Sequence, residues 1–259
     1  EWSHRAAKIS LKTENLQPPR GFIYDRNNKL LVGAETVYDL FILPIAIKGK
    51  DTILICNLFN ISKQEFKKIL ENASTGYNVP YKPSIFIKSM TQLEHAKISP
   101  YIGKISGVFA EAKIDRGYPL SIASHLLGYI RRIDEFQYQN TRDSGDFFYT
   151  KNDFIGITGL EKQYELFLRG HRGNINYLKD YAGNKIQTVN KTPAQPGKSL
   201  QITLDANLQK LGEELMSHKI GSIVAIEPSS GEILAMVSAP NYNPSLLTGK
   251  NFSKEFKKL

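Results

Sequence analysis

The stretch GSIVAIEPSSGEILAMVSAP, residues 221–240, restricts the possible folds more than any other part of the chain. Residues 222–226 and 233–238 are nearly all apolar, and Pro228, Ser229, Ser230 and Gly231 between them supply a turn, so the pattern is a hairpin. Strands that are apolar at every position, rather than every second one, need protein on both faces. The NFSKEFKKL that follows is too polar to provide it. Further protein is therefore expected to cover this hairpin.

The segments before it alternate between helix and strand periods. Asp205 is placed to cap a helix over ANLQKLGEELMSH, with Leu208, Leu211 and Leu215 on one face. Upstream, GITGLEKQYELFLRGHRG reads as a helix: Thr158 and Glu161 fit a capping box, Leu160, Tyr164, Phe167 and Leu168 form an apolar face, and Gly170 is placed to end it. Between the two, NINYLKDYAGNKIQTVN is a hairpin turning at Ala182, Gly183 and Asn184, and KSLQITLD is a further strand.

Near the start, PPRGFIYDRNNKLLV is a second hairpin. Phe22, Ile23 and Tyr24 favour a strand, Asn27 and Asn28 tolerate positive φ, and Leu30, Leu31 and Val32 return. The charges of Arg20, Asp25 and Arg26 are harder to explain, because an exposed pair is worth only about 0–1 kcal/mol. As solvated turn residues they would contribute little.

Residues 47–150 read as a small α+β unit. Ser62 with Glu65, and Thr91 with Glu94, form capping boxes ahead of two helices, the first over 63–70 with Ile61 and Phe66 as a hydrophobic staple. Strands are expected after YNVPYKP and over 107–113. The polar stretch 138–153, YQNTRDSGDFFYTKND, reads as an exposed loop.

Composition narrows the function classes. At 259 residues, 41% hydrophobic and 23% charged, the chain is a folded protein of two or three domains. A net charge of +9 suits nucleic acid, an anionic membrane surface or an acidic polymer. The lysines are scattered, without zinc-finger spacing or an RNA-binding signature, which argues against nucleic acid. The single Cys56 lies among apolar residues and reads as a packed thiol, not a nucleophile. His4, His95, His125, His171 and His218 stand singly, so no metal site is expected, and no cofactor motif occurs. No run of about 18 apolar residues is present.

Several pieces together resemble one family: RGFIYDRNNKLL, YPLSIASHLLGYI, GITGLEKQYELFLRG, DYAGNKI, PGKSLQITLDANLQ and GSIVAIEPSSGEILAMVSAPNYNP. In this order they are similar to the class B penicillin-binding proteins, and within them to the elongation-type penicillin-binding protein 2 group. One departure is the short Leu120-Ser121 after Tyr118-Pro119, where many relatives carry a glycine and a longer loop.

The resemblance implies an α+β fold: an elongated pedestal of residues 1–46 and 151–205, an inserted head of 47–150, and from 206 to 259 the opening of a transpeptidase-like sheet. Interdomain roles would fall to Arg20, Gly21, Asp25, Arg26, Tyr118, Pro119, Gly156, Gly159, Leu160, Glu161, Arg169 and Gly170. Arg20, Asp25 and Arg26 would meet Glu161 and Arg169 in one buried charge cluster. It further implies a parent on the extracytoplasmic side of the cytoplasmic membrane, in the periplasm, anchored by an N-terminal transmembrane helix outside these residues. Implied partners are a downstream transpeptidase domain, a RodA-type glycosyltransferase and the scaffold protein MreC, with a peptidoglycan precursor as the parent's substrate.

The residues themselves carry no acylation chemistry. An acyl-serine transpeptidase needs a serine with a lysine three positions on, an S-x-N serine and a Lys-Thr-Gly strand edge. No S-x-x-K or S-x-N occurs, and Lys12-Thr13 and Lys191-Thr192 are followed by Glu14 and Pro193. No catalytic residue is therefore expected here. Two readings follow: the non-catalytic pedestal and head of a peptidoglycan transpeptidase, or a free-standing binding module of the cell envelope. The apolar hairpin favours the first, since the second gives it no purpose.

Overall fold

The structure, a computed structural model, describes residues 10–75, 79–151, 153–180 and 185–245. The chain runs through strands β1 (Ser10–Leu16), β2 (Ile23–Tyr24) and β3 (Leu30–Ile42), then helices α1 (Gly49–Phe59) and α2 (Lys63–Asn72). Strand β4 (Ser84–Met90), helix α3 (Gln92–Ile102) and strand β5 (Val108–Gly117) follow, then α4 (Ser124–Leu127), β6 (Ile130–Arg132) and α5 (Glu135–Asp143). The last third holds β7 (Phe154–Gly156), α6 (Gly159–Gln163), α7 (Glu165–Leu168), β8 (Gly173–Lys179), β9 (Lys185–Thr192), β10 (Leu200–Gln201), α8 (Ala206–Leu215), β11 (Gly221–Ile226) and β12 (Ile233–Ala239). This is a mixed α+β architecture with several sheets. The described residues fall into two compact units, 10–33 with 117–245, and 34–116.

In the unit of residues 34–116, antiparallel β3 and β4 pair Tyr38 with Met90 and Leu40 with Ile87, and β5 also pairs with β3. The three helices bury Ile55, Cys56, Phe66 and Ile102 against Leu40, Ile42, Phe86 and Val108. Both capping boxes form as expected. Glu65 N–H donates to Ser62 Oγ at 3.1 Å while Glu65 Oε2 accepts from Ser62 N–H at 2.8 Å, and Thr91 and Glu94 repeat the pattern.

In the other unit the N-terminal hairpin pairs Ile23 with Val32 and Tyr24 with Leu30, and Asn28 takes a φ of 62° at its turn. Strand β10 joins β2 in parallel, Leu200 opposite Ile23. A separate antiparallel sheet has the order β1-β8-β9. Its β8–β9 turn, expected at Ala182, Gly183 and Asn184, lies outside the described residues, as does NFSKEFKKL. Ile23, Leu31, Val32, Tyr118, Ile122, Leu127, Leu168 and Leu204 share one core.

Several expectations differ from this fold. The compact units part at 33/34 and 116/117; the sequence reading expects domain boundaries at 46/47 and 150/151. Leu40 and Ile42 of β3 already belong to the 34–116 core, while Tyr118, Ile122 and Leu127 pack with Ile23 and Leu168, and β6 pairs with β7. The expected loop 138–153 is helical up to Asp143, because Asp134 and Gln137 form a further capping box. Helix α8 turns Ala206, Gln209 and Gly212 inward against β12, leaving the stripe of Leu208, Leu211 and Leu215 on its exposed side. In the apolar hairpin, Ala235 and Val237 of β12 are buried, but Val224 and Ile226 of β11 are each more than half exposed.

Candidate functional site

Arg20, just before β2, is held by two carboxylates from a segment some 140 residues later. Its Nε–H donates to Glu161 Oε2 at 2.7 Å, and Nη1 and Nη2 form a two-pronged pair with Glu165 at 3.0 and 2.6 Å. Nη2 also donates to the Glu161 carbonyl at 3.1 Å. The Glu161 side chain is fully buried, and those of Arg20 and Glu165 are 14% and 12% exposed. Tyr149 Oη donates to Glu165 Oε1 at 2.6 Å and Gly156 N–H to Oε2 at 2.9 Å, so every prong of Glu165 is satisfied.

Burial opposes the charged forms here and is outweighed. Desolvation alone would lower the Arg20 pKa, but Glu165 and Glu161 raise it; burial alone would raise Glu165, but Arg20, Tyr149 and the Gly156 N–H hold it below the usual carboxylate range. The Tyr149 phenol moves up, first through burial and then through the adjacent Glu165 charge.

The helix that presents the glutamates is not the single helix expected. It breaks at Tyr164 into α6 and α7; the Thr158 side chain makes no capping bond, and the Glu161 carboxylate, which would complete the box, turns to Arg20. Leu168 is fully buried and Leu160 packs on the same core, yet Tyr164 and Phe167 are largely exposed. Gly159 and Gly170 bound the segment with φ of 59° and 69°. The close approach to β7 requires Gly156: a Cβ there would lie 2.2 Å from the Glu161 carbonyl oxygen.

The other charges expected in this cluster go elsewhere. Asp25, 1% exposed, accepts from the Asn27 and Lys29 N–H groups at 2.8 and 2.7 Å and, through its other oxygen, from Ala206 N–H at 3.2 Å. It fastens the hairpin turn to the start of α8, as do Asn27 to Asp205 and Lys29 to Asn207, each at 3.1 Å. Arg26 lies over the β11–β12 turn, 3.3 Å from Glu232, both partly exposed. Arg169 pairs with Asp146 and stacks on Phe148 at 4.3 Å, on whose ring Arg172 also lies, at 4.8 Å. Burial opposes the Arg169–Asp146 pair, but the contact raises the Arg169 pKa and lowers that of Asp146. Gly21 donates its N–H to the Leu168 carbonyl at 2.8 Å, Tyr118 is 3% exposed in the core, and Pro119 is exposed.

A second junction was not foreseen. Glu213 of α8 accepts from Ala123 N–H at 2.6 Å, Gln209 Nε2 at 2.7 Å and Asn241 Nδ2 at 2.7 Å. Ser121 and Ala123 take φ of 50° and 54° there. Of the residues overlooked, Glu165 had a signal: it stands four after Glu161, on the same helix face. Tyr149, Asp146 and Glu213 had none. Among the described residues no group of three or more metal-ligating side chains converges, and no helix is long and apolar enough to cross a membrane.

The chain matches the model of the penicillin-binding protein dimerisation domain over residues 15–202. It is 31% identical to the peptidoglycan D,D-transpeptidase MrdA of Acinetobacter baumannii, covering 97% of this chain and 37% of that one. The Escherichia coli K12 MrdA is 26% identical, over 100% and 41% of the two chains, and penicillin-binding protein 3 of Bacillus subtilis is 31% identical, over 95% and 36%. The chain thus spans about two fifths of the length of these curated relatives. Among solved structures, the complex between penicillin-binding protein PBP2 and MreC from Helicobacter pylori has a TM-score of 0.69 at 26% identity, covering 96% of this chain and 47% of that one.

Proposed function

The chain belongs to the penicillin-binding protein dimerisation-domain family, and from that premise we propose that it is the non-catalytic pedestal and head of a peptidoglycan D,D-transpeptidase of the elongation type, acting outside the cytoplasmic membrane. Residues 10–33 and 117–205 form the pedestal, 34–116 the head, and 206–245 the start of the catalytic domain. The observation that carries this reading is the Arg20 cluster. It ties the N-terminal hairpin to a segment beyond the entire inserted unit, and breaking such a buried network by removing one partner costs about 3–5 kcal/mol. A non-catalytic support needs that rigidity, because the group it positions belongs to another domain. The Asp25 contact with α8 and the Glu213 junction extend the same support into the strands that follow.

In this reading the parent enzyme cross-links peptidoglycan stem peptides: a serine supplied downstream takes the donor acyl group with loss of the terminal D-alanine and passes it to the amine of a second stem peptide, and this chain contributes no reacting group. MreC is the partner that the Helicobacter pylori complex suggests; a RodA-type glycosyltransferase is a second. A fluorescent penicillin tests the assignment on the 259-residue chain and on its full-length parent. The parent is expected to be labelled and the chain not, since S-x-x-K is absent from it. A stoichiometric acyl adduct on the chain would overturn the non-catalytic assignment. An unlabelled parent would overturn the transpeptidase assignment in favour of a free-standing envelope module.

A further inference from the structure

The three-stranded sheet β1-β8-β9 takes no part in the site above, and its register sorts its charges. Lys12 stands opposite Tyr177, Lys179 opposite Lys185, and Lys191 opposite Ile175. Residues 175, 177 and 179 of one strand share a face, so all four lysines of the sheet lie on that face and none on the other. The reverse face is made of amides, threonines and leucines, among them Asn15, Asn174, Asn176 and Asn190. The basic face has one acid, Glu14, engaged by Lys185 at 2.6 Å. Lys185 and Lys179 also sit over the Tyr177 ring, 4.4 and 5.6 Å from its centre, which holds their ammonium groups above the sheet. Along the edge strand β9, Ile186 and Val189 stand 54% and 58% exposed at the two register shifts, between Lys185 and Lys191 in sequence.

We propose that this face of the β1-β8-β9 sheet lies against an anionic lipid surface, its lysines on the head groups and the β9 aliphatics at the acyl boundary. Charge complementarity selects an anionic partner, because a cluster of like charges on one side of a thin sheet gains most from a surface of opposite sign. The exposed Ile186 and Val189 select a lipid surface over a soluble polyanion, which offers aliphatic groups nothing. The proposal rests on the reading that the parent works at a membrane. The vesicle assay below reports lipid affinity whether or not that reading holds, and placement at the membrane is tested separately by fractionating cells that make the parent.

The 259-residue chain is sedimented with phosphatidylcholine vesicles, with and without phosphatidylglycerol. Partitioning that depends on phosphatidylglycerol and weakens with salt is expected. Lys12→Glu with Lys191→Glu, both exposed and neither of them a lysine that sits over the Tyr177 ring, should lower it about tenfold or more. Lys63→Glu with Lys97→Glu, exposed positions of the other unit, makes the same change in net charge and should leave partitioning nearly unaltered. Lys12→Gln with Lys191→Gln, which halves the charge change, should show a smaller loss in the same direction and guards against an effect of misfolding. Equal losses in the two Glu pairs would reduce the effect to net charge and overturn the proposal. So would unaltered vesicle binding in the Lys12/Lys191 variants, or an equal loss of binding to soluble polyphosphate with vesicle binding retained.

Discussion

Replacing Arg20 with glutamine removes the cation from a site where two glutamates remain. The Glu161 side chain is fully buried and that of Glu165 is 12% exposed, so neither charge recovers its hydration. Tyr149 and Gly156 still donate to Glu165, but four hydrogen bonds from the guanidinium are lost. Removing one member of such a network costs about 3–5 kcal/mol, which at this size lowers the melting temperature by roughly 6–20 °C. The loss also depends on pH, and its sign follows from Glu165. In the native protein its pKa is held below the ordinary value of about 4.3, so its contribution is present above that pH and disappears as the pH falls through the folded-state pKa. Without Arg20 the burial that opposes ionisation goes unanswered, the folded-state pKa rises, and destabilisation grows as the pH climbs above about 4.3. Urea unfolding between pH 3 and 7, followed by circular dichroism, should therefore show a stability difference that is small in acid and widens toward neutrality. Glu165→Gln in the Arg20→Gln background should recover part of it, with a coupling energy of about 0.5–3 kcal/mol. A difference below about 1 kcal/mol that is flat across this range would refute the reasoning, since exposed pairs behave that way.

Two further perturbations address neighbouring contacts. Gly156→Ala places a Cβ 2.2 Å from the Glu161 carbonyl oxygen, so it should destabilise by more than the roughly 1–3 kcal/mol typical of overpacking, read as a drop in the urea midpoint; an unchanged midpoint would show that β7 and α6 can separate at little cost. The Arg26–Glu232 pair, partly exposed on both sides, should give a coupling of only about 0–1 kcal/mol in a double-mutant cycle, and Arg26 with Glu161 should be additive; a large Arg26–Glu161 coupling would contradict the separation of the two arginines.

What could be read in advance was whatever depends on near neighbours in the chain. The Ser62/Glu65 and Thr91/Glu94 capping boxes, the Asn28 turn, the Asp205 cap and the Gly170 stop are each completed within a few residues, and each formed. The resemblance that assembled the remote pieces also identified Arg20 with Glu161. It erred where several long-range partners competed for one group. Thr158 and Glu161 have the spacing of a capping box, yet a buried charge-assisted bond to Arg20 outweighs a single backbone N–H, and the Glu161 carboxylate takes no part in a cap.

The helix stripes show the same division. Leu208, Leu211 and Leu215 mark an apolar side of α8 by periodicity alone, and the chain does present them together; which side packs was decided by β12, whose Val237 methyl would lie 2.7 Å from a Cβ at Gly212. Residue identity and local geometry were enough to read the secondary-structure alphabet and the turn residues. Long-range packing settled which carboxylate each arginine reaches, that Glu165 and Tyr149 complete the Arg20 site, and that Glu213 fastens the strained Ser121–Ala123 segment to α8. Those pairings join residues 16 to 206 positions apart, and the energies of the buried ones come from shared burial, which no single stretch of chain contains.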